Sequence, residues 1–162
     1  MTKQVTAKKP VSVNILIALH IFLGVGALFG GGALMIGPDG SVLKMPSDLM
    51  EIKMFPDYFI PGLILFLVLG VVPLIIATFL INGREFRPFQ FLNIYGDMRS
   101  AWTASLYMGF ADLIWITVEV YVMQAVAIIH LVYFAIGFIL QIVTLLPSVR
   151  NYYKLETDRA VA

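Results

Sequence analysis

Cysteine is absent from the 162 residues, which removes disulfides, thiolate metal sites, iron–sulfur ligation and a cysteine nucleophile together. Charge is nearly as scarce. Only 13% of the chain is Asp, Glu, Lys or Arg, against about 25% in ordinary soluble domains. The net charge of +1 comes with no concentrated basic patch, so a phosphate backbone has nothing to hold and nucleic acid is not an expected partner. Histidine occurs twice, and neither sits in an HxxxH or ExxH spacing, so no metal site is indicated. A Ser–His–acid triad, a phosphate-binding loop and a dinucleotide fingerprint are all missing. Phe29-Gly30-Gly31-Gly32 is not followed by Lys and Ser or Thr. These gaps point away from an enzyme, leave the cofactor unknown and name no catalytic residue.

What the chain has is apolar length. It is 60% hydrophobic with a mean hydropathy of +0.90. The excess falls in four blocks, about 11–36, 59–81, 101–122 and 125–146. Each reaches the ~20 residues needed to cross a ~30 Å hydrocarbon core. Little chain remains outside them, so residues 1–162 read as one transmembrane domain, an all-α four-helix bundle in a bilayer. Lys3, Lys8 and Lys9 ahead of the first block suggest a signal sequence, but the block exceeds a ~7–15-residue h-region, and an uncleaved anchor is the expectation.

Basic residues set the sidedness. They gather in the N-terminal arm, in the second loop (Arg84, Arg87, Arg99) and in the tail (Arg150, Lys154, Arg159). The first loop holds Lys44 and Lys53 against Asp39, Asp48, Glu51 and Asp57. The positive-inside rule therefore predicts both termini in the cytoplasm. Phe86, Phe89, Phe91 and Tyr95 among the second-loop arginines suit a headgroup region, and Trp102, Tyr121, Tyr152 and Tyr153 are expected in interfacial belts.

Local signals fill in the frame. Gly37-Pro38-Asp39-Gly40 predicts a turn. Asp48 and Glu51, followed by Ile52 and Phe55, predict a short interfacial helix in the outer loop, lying on the membrane or serving as a lid. Pro61 sits harmlessly in a first turn, Pro73 predicts a kink near Leu69–Gly70, and Asn82-Gly83 a C-terminal cap. In the first block Gly26 and Gly30 make a GxxxG, and His20, Gly24, Ala27 and Gly31 make a separate small stripe. Both read as packing seams before they read as a cofactor cradle.

The third block, around residues 102–123, carries two carboxylates, Asp112 and Glu119. They lie seven apart on one helix face, with Trp115 between them. A carboxylate at membrane depth costs roughly 2.5–3.5 kcal/mol on insertion scales, so partners are required. The connection to the fourth block is short, which makes helices 3 and 4 antiparallel neighbours. With a turn centred at Gln124, Glu119 faces His130, Trp115 faces Phe134, Asp112 faces Gly137 and Met108 faces Gln141. His20 and Asp112 lie at similar depth and form a second candidate pair.

The candidate site is therefore a polar seam of His20, Asp112, Trp115, Glu119, His130 and Gln141. It admits three uses. One is interhelical glue, although such bonds average only ~0.6 kcal/mol. Another is a proton or ion path through Glu119, Asp112 and His20, serving a small proton-coupled transporter or a transporter subunit. The third is a pocket for a lipid, quinone, haem or metal. His20 and His130 fall in opposite leaflets, which argues against both ligating one haem. The leading reading is an accessory or binding protein holding a small ligand or a partner helix. The partners expected are the bilayer and either another membrane protein or further copies of the chain.

Residues 54–65, MFPDYFIPGLIL, and 115–119, WITVE, resemble a group of small bacterial four-helix membrane proteins of uncharacterised role. The resemblance implies four spans in a bacterial cytoplasmic membrane and carries over no catalytic residue.

Overall fold

The computed structural model describes residues 9–45, 54–85 and 87–155. Among the described residues the long elements are all helices: α1 (Val11–Ile36), α2 (Phe59–Asn82), α3 (Ser100–Met123) and α4 (Ile128–Leu145), followed by a short α5 (Pro147–Tyr153). The first four are each long and apolar enough to cross a membrane. Their bounds follow the hydropathy blocks to within three residues. The expected outer-loop helix starting at Asp48 falls largely outside the described residues.

The helices run up and down around a ring. α1 packs along α2 and against α4, while α3 packs against α4 and α2. α1 and α3 are thus diagonal, meeting through side chains. The start of α1 and the end of α5 lie at one end of the bundle, here the termini end; the first loop lies at the other, the loop end. At the termini end the tail is stitched to the second loop. Arg99 N–H donates to the Tyr153 carbonyl (3.0 Å) and Leu155 N–H to that of Asp97 (2.8 Å). The Arg99 guanidinium also donates to the carbonyl of Gly83, which caps α2 in the left-handed region at φ 62°.

Glycine decides how closely α1 and α2 approach. A Cβ on Gly31 would stand 2.6 Å from both Gly62 O and Phe66 N, and one on Gly24 would stand 2.9 Å from Gly70 O. The stripe of Gly24, Ala27 and Gly31 is therefore the packing seam. The GxxxG pair faces elsewhere: Gly26 meets the Tyr133 hydroxyl on α4, and Gly30 is nearly open.

Pro73 cannot donate to residue 69, and its ring crowds that carbonyl. The helix absorbs this by widening into a π segment, Leu65–Val71, in which Val72 N–H reaches back five residues to Leu67 O. That wide turn covers Leu69–Gly70, where the kink is expected.

Packing is uneven along the bundle axis. The termini half is solid: Val13, Leu16, Ile76, Leu80, Leu140 and Tyr153 are all sealed from the surface. Trp102 (3% exposed) and Tyr153 (1%) belong to this core, not to the interfacial belt expected for them. Each is anchored by its polar atom. Trp102 Nε1 donates to Thr144 O (2.8 Å) and Tyr153 OH to Leu80 O (2.8 Å), and burial pushes the Tyr153 phenol pKa upward. In the loop half the pairing of α2 and α3 loosens: they are closest along Val72–Asn82, less so along Leu65–Val71, and least along Phe59–Ile64.

Candidate functional site

Where α2 and α3 part, a cavity of about 730 Å³ opens between the four helices. Gly26 and Gly30 of α1 supply one wall, Leu65 of α2 a second, Trp115 and Glu119 of α3 a third, and His130 and Tyr133 of α4 the fourth. Leu43, Met45, Phe55 and Tyr58 close it from the first loop. That loop is held by a turn at Gly40 (φ 81°), where Asp39 accepts from Ser41 Oγ (2.6 Å) and Ser41 N–H (3.1 Å). These bonds, the hydroxyl's first, hold the Asp39 carboxyl below the usual carboxylate range.

The antiparallel α3–α4 hairpin places the acids. Its connection is four residues, 124–127, wider than the two expected. The matching of levels survives all the same. Asp112 lies against Gly137, and Gln141 lies against Gly109 while its Nε2 donates to Leu106 O (3.1 Å). Phe134 does not join the seam. It is 43% exposed on the outer face, against Phe138 at 6.0 Å. Its neighbour Tyr133 turns inward instead, and is the site residue that the sequence pattern missed.

The six expected seam residues divide into three groups along the axis. Glu119, Trp115 and His130 share the cavity wall. The Trp115 indole N–H lies beside the Glu119 carboxylate without the geometry of a hydrogen bond, and it has no other partner. His130 does not bond Glu119. Its Nδ1 accepts the Ala127 N–H (3.1 Å), so the side chain caps the start of α4, while the His130 backbone N–H donates to Ala127 O (3.0 Å). A ring nitrogen that accepts carries no proton, which puts the proton of a neutral His130 on Nε2.

Asp112 forms the second group, about 10 Å below Glu119 along α3. It is fully buried, and neither oxygen has a hydrogen-bond partner. Deeper still, His20 Nε2 shares a 2.7 Å hydrogen bond with Ser105 Oγ, and Ser105 pairs with Thr144 Oγ1 at 3.1 Å. His20 is thus engaged two helical turns from Asp112, and the expected His20–Asp112 pair is not formed. Its Nδ1 is buried without a partner. Gln141 belongs with this deeper group as a helix–helix tie.

No family model, curated protein or solved structure matches the chain. The site's chemistry is therefore read from its own groups. Among the described residues no three His, Cys, Asp or Glu side chains converge as a metal site would need, and no nucleophile stands beside a general base in the cavity. The wall offers apolar area, aromatic rings, an indole donor, an imidazole and one carboxyl group.

Proposed function

We propose that the chain is a multi-pass membrane protein that holds a small, largely apolar molecule in the loop-end cavity, with Glu119, Trp115 and His130 meeting its polar part. The observation that carries this reading is the open volume beside those groups. Helices in lipid associate by close packing, and a void forfeits those dispersion contacts. The termini half of the same bundle is packed solid. The space, about 730 Å³, falls within the ~300–1,000 Å³ typical of small-molecule sites. Gly30, which is not part of the α1–α2 seam, puts no side chain into the space, while Gly26 makes room for the Tyr133 hydroxyl.

The described bases support a cytoplasmic termini end. Arg84, Arg87, Arg99, Arg150 and Lys154 belong to the second loop and the tail, against Lys44 alone at the loop end. The cavity then lies in the outer leaflet of what the sequence resemblance suggests is a bacterial cytoplasmic membrane. A role as accessory subunit, or as a homo-oligomer, is compatible with this site.

A second reading, a proton-coupled transporter or its subunit, is favoured by one observation: Ser105, Asp112 and Glu119 recur every seven residues on one face, and Asp112 is unpartnered. Engagement of His20 by Ser105 weighs against a continuous path.

Native mass spectrometry of protein released from nanodiscs made with its host membrane tests the binding reading. A retained small molecule is expected on the wild type and not on Gly30→Phe, whose ring would occupy the cavity. A wild-type spectrum free of adducts would count against it. Proton uptake into liposomes, if dependent on Glu119 and Asp112, would favour the transporter.

A further inference from the structure

We infer that the cavity's occupant is a lipophilic cation, a quaternary onium or protonated amine on an aromatic or alkyl body, seated with its charge against Glu119. This rests on the binding reading above and adds the chemical class of the ligand.

The first argument is charge balance. Among the described residues Glu119 is the sole acid on the cavity wall, and no lysine or arginine lines it. The described bases lie at the termini end, except for Lys44, which is exposed on the first loop and does not line the space. His130 could have served as counterion, but it makes no bond to Glu119 and commits Nδ1 to its own helix start. A carboxylate in an apolar wall is costly until an opposite charge meets it. Among the described residues none supplies it.

The second argument is the sign of the field. Asp112 lies one heptad deeper on the same face, about 10 Å along the helix. With two acids on that face and no described base on the cavity wall, nothing there attracts a carboxylate or phosphate, so fatty acids and anionic headgroups are disfavoured occupants.

The third argument is the lining. Trp115, Tyr133, Phe29, Phe55 and Tyr58 present aromatic rings around the space. Ring faces attract cations, more strongly when water is excluded. An apolar body beside a ring-flanked carboxylate fits one shape of ligand: a delocalised or alkylated cation of modest size.

Three probes of nearly equal shape decide the matter: tetraphenylphosphonium, tetraphenylsilane and tetraphenylborate, measured by equilibrium dialysis against the protein in nanodiscs, with empty nanodiscs as blank. The phosphonium is expected to bind saturably. Glu119→Gln should weaken it at least tenfold and leave the silane unchanged, while Glu119→Asp, which keeps the charge, should retain most of the affinity. Borate binding as tight as phosphonium binding, or an unaltered phosphonium affinity in Glu119→Gln, would overturn the inference. If the silane binds saturably with no preference for the cation, the charge assignment falls and the binding reading stands. If no probe binds saturably, both fall. Should Glu119→Gln not yield folded protein, the wild-type ranking of the three probes still decides.

Discussion

The carboxyl group of Asp112 lies against the α-carbon of Gly137: a Cβ at that glycine would stand 2.6 Å from Oδ2. The acid on α3 is accommodated because α4 has no side chain opposite it. Gly137→Ala should therefore destabilise the bundle by about 1–3 kcal/mol through overpacking. In an Asp112→Ala background most of that cost should vanish, leaving the part due to Leu113, which also crowds the position. A double-mutant cycle from reversible unfolding in mixed micelles checks this, with a coupling of about 1–3 kcal/mol expected.

Asp112→Leu is close in size and removes the polar group. An unpartnered buried carboxyl is a burden on stability. The variant should therefore unfold at a higher denaturant fraction than the wild type. Unchanged or lowered stability would mean that the acid has a partner in the membrane.

Two adjacent glycines should behave differently. Gly31→Ala drives a methyl into the backbone of α2 at Gly62 and Phe66, whereas a methyl on Gly30 meets only Leu65 Cδ2 at 3.6 Å. The first should lose about 1–3 kcal/mol and the second almost nothing, as read from paired thermal melts in the same detergent.

The two tryptophans also separate. Trp102→Phe breaks the buried bond to Thr144 O and should cost about 1–3 kcal/mol for the orphaned carbonyl and lost packing. Trp115→Phe breaks no formed bond. It should leave the melting point nearly unchanged while altering ligand retention in the native mass spectrum.

At the loop end the titration of Asp39 reports on the turn. Its carboxyl is held below the usual range by Ser41, so the bonds it accepts stabilise the turn above the ordinary carboxylate pKa and are lost as pH falls through the lowered value. Ser41→Ala should move the Asp39 midpoint upward, toward ~3.9. Carboxyl-carbon shifts followed from about pH 6 to 2 check the direction.

Much of the architecture is legible in hydropathy, because a span must match bilayer thickness and a block of that length has few other uses. The α3–α4 levels were legible too, since antiparallel neighbours with a short connection leave little freedom of register. What escaped is rotational and tertiary. Phe134 and Tyr133 differ by about 100° around α4, enough to exchange a lipid-facing ring for a cavity-facing one. Trp102 and Tyr153 look like interfacial anchors by position, but Trp102 packs edge-on with Tyr95 of the second loop and Tyr153 reaches across to Leu80 O, and both are buried. The cavity itself leaves no periodic trace. Its only hint is the GxxxG, whose glycines line a space when no helix fills it.

The separation of α2 and α3 is a gap between two adjacent helices of the ring, in its loop half. On the binding reading, a ligand enters sideways from the hydrocarbon, having first dissolved there. Occupancy then follows the mole fraction of ligand in the lipid, so a sparingly soluble compound can saturate the site at a trace aqueous concentration. Apparent affinities should scale with the lipid-to-protein ratio. Bilayer thickness and tail order, which act on that gap, become determinants of the on-rate.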